Sequence, residues 1–321
     1  MKAADYSEIS IEVFLNMTGE LPFDVYVQLS PDKFTKVFNR RDKVDKERFS
    51  NYAQKGAQTL YILRKDRRDY MGATERFVKK LIHTPNAPMS AMVKAVEELT
   101  EHSLFEIFED KIFDEDSLRR ATDIAKTQVN LLKTDPKMLT QFLHLSRHES
   151  YLIRHSISTS VLGILIARAN ANMNERMLNI IAMGGLLHDI GMAMLPPEIS
   201  DVDRRLSTEE WKMVRTHPLH GGQMVGQIKN FPPEVALVIE QHHESYDGTG
   251  YPKGVSGDQI YYPARVIALA DSFSALTTRR GGRALYPPED ALALLKTEDG
   301  KYDPKILEAF DQMLHPGKKA A

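Results

Sequence analysis

Hydrophobic periodicity changes once along this chain, and the change limits what it can fold into. Before residue 64 the apolar residues recur at every second position: Ile9, Ile11, Val13 and Leu15, then Phe23, Val25, Val27 and Leu29, then the β-rich Leu60 to Leu63. These stretches read as strands of a small sheet. Asp42 to Gly56 reads as a polar helix and Ala73 to Ile82 as a short amphipathic one, closed by the breaker run Thr84 to Pro88. From Ser90 to Leu132 the spacing becomes three and four. Met92, Val93, Val96 and Leu99 are followed by Leu118, Ala121, Ile124, Ala125, Val129 and Leu132, a helical connector that ends before Pro136. The pattern then stays helical. The expectation is a mainly α protein: a small α+β module over 1–86, a helical connector over 87–137 and an all-helical bundle over 138–321.

The later helices have readable ends. Ser207-Thr208-Glu209-Glu210 fits a capping box. Proline stands where a helix start needs no N–H in Phe231-Pro232-Pro233-Glu234 and in Pro287-Pro288-Glu289-Asp290. Helices are therefore expected over 138–170, 175–189, 207–216, 218–229, 233–243, 261–279, 287–296 and 303–314. Trp211, the sole tryptophan, is expected to anchor the helix behind the capping box.

The 321 residues contain no cysteine, which removes thiolate metal sites and Cys nucleophiles and leaves His, Asp and Glu as metal ligands. With 42 Lys and Arg against 44 Asp and Glu, the net charge of -2 argues against a polynucleotide binder or a polybasic membrane-surface protein. Met1 to Met17 lacks a basic start followed by an unbroken apolar run. No stretch supplies the roughly 18 consecutive apolar residues of a spanning helix. Membrane insertion is not expected, and a cytoplasmic location is.

Of the eleven histidines, eight fall between His144 and His243. A long apolar helix ending in Met183-Gly184-Gly185-Leu186-Leu187 runs straight into His188-Asp189-Ile190-Gly191. Adjacent side chains on a helix point about 100° apart, so this pair can grip one metal from two sides, or its carboxylate can bridge two metals. The dipeptide alone also fits a helix-end contact with the dipole. Its company adds weight: His155, His217 before Pro218, the pair His242-His243, and Asp271 in Ala268-Leu269-Ala270-Asp271. Gly191 is read as the residue that lets the chain turn away. His144, His148 and His220 match no ligand position and are read as surface or partly buried.

In this order the motifs resemble the HD-GYP subgroup of the HD-domain metal-dependent phosphohydrolases. His188-Asp189-Ile190-Gly191 is followed by His217-Pro218, then by His242-His243-Glu244-Ser245-Tyr246-Asp247-Gly248-Thr249-Gly250-Tyr251-Pro252, then by Pro263-Ala264-Arg265-Val266-Ile267-Ala268-Leu269-Ala270-Asp271. The resemblance implies an all-helical domain that hydrolyses cyclic di-GMP to pGpG or GMP. It also implies two or three transition metals, iron or manganese, held by His155, His188, Asp189, His217, His242, His243 and Asp271. His188 and Asp189 are the implied catalytic pair. Such chemistry needs a nucleophile available near neutral pH, which water bridging two cations supplies as hydroxide, with Asp189 the natural bridging carboxylate.

Four positions depart from the family pattern. Tyr151 stands where a glutamate, one turn before His155, would serve a third metal, so two ions are expected; the nearby Glu149 lies off that face. Met192 replaces a lysine that can pair with a substrate phosphate. Ser274 replaces a second aspartate three residues after Asp271 and reads otherwise as an ordinary helix hydroxyl. Arg280-Gly281-Gly282-Arg283 keeps two guanidinium groups suited to phosphate or the guanine edge, but Gly282 removes an aromatic that could stack on a base. Arg279 to Arg283 also reads as a plain basic loop. Tyr251, Arg280 and Arg283 are the expected substrate contacts.

Two further functions compete with hydrolysis of cyclic di-GMP. One is a cyclic di-GMP receptor or scaffold of low activity, motivated by Met192 and Ser274; the other is hydrolysis of another nucleotide or a phosphomonoester. The first 85 residues lack a phosphorylatable receiver pattern and resemble the small α+β modules preceding some HD-GYP domains. A signal or a signalling protein partner is expected at that module or at the Gly-Tyr-Pro loop.

Overall fold

The computed structural model describes residues 5–57, 59–82, 84, 89–134, 150–169, 173–200, 204, 206–278 and 285–315. Contacts divide the chain into two compact units, Met1–His102 and Ser103–Ala321. The first unit carries β1 (Tyr6–Ser10), α1 (Ile11–Asn16), β2 (Val25–Ser30), β3 (Lys33–Phe38), α2 (Lys46–Gln54), β4 (Thr59–Leu63), α3 (Arg67–Ile82) and the start of α4 (Met89–Phe108). The strands form one antiparallel sheet in the order β1-β4-β2-β3. Its core is aromatic: Phe14 stacks on Phe49 at 5.0 Å, and Phe49 on Phe38 at 4.1 Å between ring centres.

The strand expected from Ile9 to Leu15 is corrected. Only β1 is extended; Ser10 then caps α1 by accepting the Glu12 N–H at 3.2 Å. Val13 and Phe14, adjacent in sequence, are both buried, which a helix face permits and a half-exposed strand does not. Strand β3, with its polar Lys33 and Lys36, carries no apolar alternation and escapes a reading by pattern. In α4, Glu98 is buried and accepts hydrogen bonds from the Tyr70 hydroxyl and, at 2.9 Å, from the Ser10 N–H. Burial pushes its carboxyl above the usual range, although both hydrogen bonds and Lys94 pull the other way.

The second unit is helical: α5 (Glu115–Thr134), α6 (Tyr151–Arg168), α7 (Glu175–Leu187), α8 (Pro197–Ser200), α9 (Thr208–Val214), α10 (His217–Gly226), α11 (Pro233–Gln241), α12 (Tyr262–Thr277), α13 (Pro288–Lys296) and α14 (Pro304–Leu314). The expected helices match to within a few residues, and the 138–149 part of the first lies outside the described residues. Helix α6 packs on α7 and α12, while α10 packs on α11 and on the 3-10 turn Ile190–Met194. Helices α6 and α7 approach almost backbone to backbone, since a Cβ on Gly185 would lie 2.4 Å from the Ser160 Cα. Glu175–Met194 is apolar and long enough by composition to cross a membrane, but 67% of that window is buried inside the protein, as in a core helix.

The capping box forms as expected, with the Glu210 N–H donating to Ser207 Oγ and the Ser207 N–H to Glu210 at 2.7 Å. Trp211 corrects its expectation: it is 51% exposed, because Val214 rather than Trp211 lies on the inward face of α9. Val214 packs there with Leu195 and Ile199.

Candidate metal centre

Three of the candidate histidines sit at helix ends, and that location fixes their rings. His188 follows the last residue of α7, His242 follows α11, and His217 lies just past α9. The last carbonyls of a helix have no partner within it. Each ring uses one. His188 Nδ1–H donates to Gly185 O at 2.9 Å, His217 Nδ1–H to Val214 O at 2.7 Å and His242 Nδ1–H to Ile239 O at 2.7 Å. A carbonyl only accepts, so Nδ1 of each ring carries a proton and its Nε2 is the atom turned to the interior.

Those nitrogens converge with carboxylates in two groups: Asp189, His217, His242 and His243, and His155, His188 and Asp271. Within each group the ligand atoms lie within 4.8 Å of one another. Both carboxylates span the groups. Asp189 Oδ1 is 3.1 Å from His217 Nε2 and Oδ2 is 3.4 Å from His188 Nε2. Asp271 Oδ1 is 2.8 Å from His155 Nε2, and Oδ2 is 3.7 Å from His243 Nδ1. All seven residues singled out in the sequence are thus brought together.

The electrostatics suit a cation. Burial by itself would raise the Asp189 carboxyl, but the imidazoles of His188 and His217 hold it well below the usual range; Asp271 is lowered in the same sense by its bond to His155. Burial, and then the neighbouring rings, push His242 and His243 well below the ordinary histidine value, so both stay neutral. His217 Nε2 and His242 Nε2 face each other at 3.2 Å with Asp189 Oδ1 beside them. Two imidazole nitrogens and a carboxylate oxygen meet there, a donor set that one metal ion takes at once. The donor set of imidazole and carboxylate fits a divalent transition metal.

Tyr151 stacks on the His155 ring at 5.1 Å with 11° between planes, so an aromatic ring covers that side of the second group. Gly191 corrects its expectation: the chain runs on into the 3-10 turn, and glycine is needed because a Cβ would stand 2.0 Å from His217 O. Most of the Gly-Tyr-Pro motif is scaffold. Asp247 Oδ1 accepts from Thr249 N at 2.9 Å, Glu244 Oε1 from Lys253 N at 2.7 Å, and a Cβ on Gly250 would lie 2.2 Å from Ser245 N. The folded loop lays the Tyr251 ring 4.7 Å from His243. Burial, then Asp189 and Asp271, raise the Tyr251 phenol, so it remains a hydrogen-bond donor.

One residue, Arg215, was missed in the sequence, and one that was singled out, Ser274, has a contact the sequence did not show. Exposed Arg215 holds its guanidinium 5.1 Å from the Tyr251 ring centre, at the edge of the first group; its signal was a cation two residues before His217. Ser274 is buried against His155 rather than a bystander. Met192 packs on Leu195, Ile199 and Val214. Arg280, Gly282 and Arg283 lie outside the described residues, as do Glu149, His144 and His148; His220 is partly buried, 3.4 Å from Thr216 Oγ1.

The HD domain family matches residues 143–306 of this chain. A cyclic di-GMP phosphodiesterase of Pseudomonas aeruginosa is 31% identical over 175 residues, 54% of this chain and 42% of that protein. A 3′3′-cGAMP-specific phosphodiesterase of Vibrio cholerae is 32% identical over 236 residues, 70% of this chain and 49% of that protein. The chain therefore spans less than half the length of either relative. A solved structure described as an HDG“Y”P protein from Bdellovibrio bacteriovorus shares the fold with a TM-score of 0.69, covering 97% of this chain and 99% of that one at 22% identity. By the matched half of its length and by the His188-Asp189 and Gly250-Tyr251-Pro252 motifs within it, the chain belongs to the HD-domain family, in its HD-GYP subgroup.

Proposed function

We propose that the protein is a metal-dependent phosphodiesterase that hydrolyses cyclic di-GMP to pGpG or GMP, with His188 and Asp189 at its catalytic centre. The observation that carries this is the pair of ligand groups linked by the two oxygens of Asp189 and of Asp271. His217, His242, His243 and Asp189 would hold one ion, and His155, His188 and Asp271 with the second Asp189 oxygen another, of iron or manganese. Such ions supply a Lewis acid for the phosphoryl oxygens and a nucleophile available near neutral pH.

The chain's own groups do the rest. Asp189 and Asp271 stay ionised and His242 and His243 stay neutral, so these four ligands need shed no protons near neutral pH. Tyr251 keeps its phenolic proton and can donate it in a hydrogen bond to a phosphate, and Arg215 behind that ring offers a charged fork to the same anion. Arg280 and Arg283 are further candidate contacts. A cytoplasmic site of action agrees with the burial of Glu175–Met194. The module over 1–86 is proposed to receive a signal or a protein partner, with 87–137 linking it to the hydrolase domain over 138–321.

The test is turnover by protein reconstituted with Fe(II) or Mn(II) under anaerobic conditions, offered cyclic di-GMP and 3′3′-cGAMP in parallel. Release of pGpG or GMP is expected. Retention of bound cyclic di-GMP with neither product overturns hydrolysis and leaves the receptor reading. That second reading is favoured by Met192, whose thioether packs into an apolar cluster and offers no cation to a phosphate.

A further inference from the structure

His155 differs from the other buried ring ligands in where its second nitrogen goes. His188, His217 and His242 each give Nδ1–H to a backbone carbonyl three residues back, left over at a helix end. His155 lies inside α6, where the preceding carbonyls belong to the helix ladder. Its Nδ1 instead meets the Ser274 hydroxyl at 3.0 Å, across from α12. Ser274 is completely buried, and its Oγ also lies 3.3 Å from Thr278 Oγ1 and 3.4 Å from the His155 carbonyl. With its own hydrogen given to one of these, the hydroxyl oxygen is free to accept from Nδ1–H. On the other side, His155 Nε2 lies 2.8 Å from Asp271 Oδ1 and 3.3 Å from His188 Nε2.

We propose that Ser274 is the positioning residue of His155: it takes the Nδ1 proton and fixes the ring so that the Nε2 lone pair serves the second ligand group. This rests on the reading of that group as a metal site. Ser274 stands where the family pattern has a carboxylate, and here a hydroxyl completes the set of Nδ1 acceptors that the helix ends supply to the other three rings. Substitution of such supporting partners costs about 10–100-fold in metal affinity.

The experiment is Mn(II) binding to the full chain by calorimetry, with metal content by mass spectrometry, for wild type, Ser274→Ala, Ser274→Thr, His155→Ala and the Ser274→Ala/His155→Ala double variant. Ser274→Ala is expected to keep one ion at wild-type affinity and to lose about 10–100-fold for the other. Ser274→Thr, which restores a hydroxyl, should recover it, and the double variant should bind like His155→Ala alone. Imidazole nitrogen shifts should show Nδ1 of His155 protonated in the metal-bound wild type. If Ser274→Ala does not fold, Ser274→Cys carries the same test, because a thiol keeps the volume and accepts poorly. Ser274→Ala binding two ions as wild type does, or a double variant weaker than His155→Ala, overturns the role of Ser274. Wild type that binds no ion overturns the metal reading beneath it.

Discussion

His217 and His242 face one another through Nε2 atoms 3.2 Å apart, each with its Nδ1 proton committed to a backbone carbonyl. With both Nδ1 protons so committed, a cation placed between the two Nε2 atoms is held by both rings at once. Metal removal is therefore expected to destabilise the second unit. Free metal at 100 times its dissociation constant should add about 2.7 kcal/mol to folding stability, read as a rise in melting temperature over the chelated protein. His217→Ala should abolish most of that rise, and an equal rise in His217→Ala would contradict the assignment.

Arg215 and Tyr251 form the charged and aromatic edge of the first group. Arg215→Ala is expected to raise KM for a cyclic dinucleotide by about tenfold, the low end of what a charge-assisted hydrogen bond contributes. Metal content and kcat should hardly change. Met192→Lys should act in the opposite direction, since a lysine stem can follow the apolar cluster while its ammonium reaches solvent and substrate. Steady-state kinetics on the two variants separate these effects from a change at the metal ligands.

Two glycines test the close packing of the helices. At Gly185 a Cβ would meet the Ser160 backbone at 2.4 Å, whereas at Gly226 nothing lies within 4 Å. Gly185→Ala is expected to cost about 1–3 kcal/mol or more through overpacking. Gly226→Ala should be neutral or stabilising by about 0.4–1 kcal/mol, because it restricts the unfolded chain. Urea unfolding at constant pH measures both, and a tolerated Gly185→Ala would show that the helices can move apart.

Glu98 gives the first unit a pH dependence of definite sign. Its folded-state pKa is raised, so the folded protein holds the proton that the unfolded chain has already released. Stability is therefore fully present below the unfolded value near 4.5 and falls as pH rises through the folded one. Glu98→Gln keeps an acceptor for the Ser10 N–H and removes the charge. It should match wild type near pH 4 and gain on it by pH 7.5, measured by urea unfolding with chelator present. An equal difference at both pH values would sink the assignment.

Local signals were legible and remote ones were not. The ends of α9, α11 and α13 follow from Ser207, Pro233 and Pro288, each acting within a few residues of itself. Of the seven ligand-type residues, His188, Asp189, His217, His242 and His243 stand at helix ends, whereas His155 and Asp271 lie inside helices and were singled out only through the order of the motifs. Ile11 and Val13 misled because the helix they open is short and buried on more than one side, so that Ile11, Val13 and Phe14 are all covered and the alternation marks no strand face. The Ser274 contact joins residues 119 positions apart. No pattern near Ser274 distinguishes it from any other serine in a helix.

The helix-end carbonyls under His188, His217 and His242 have a consequence for how this site can change over generations. Their acceptors are peptide groups, present whatever side chain stands at Val214 or Ile239, while at Gly185 it is the packing against Ser160 and not the acceptor that restricts the side chain. For those three ligands the supporting layer is insensitive to sequence provided the helices end where they do. Heritable variation in that layer is channelled instead to Ser274, where a single codon can alter how the fourth ring is held.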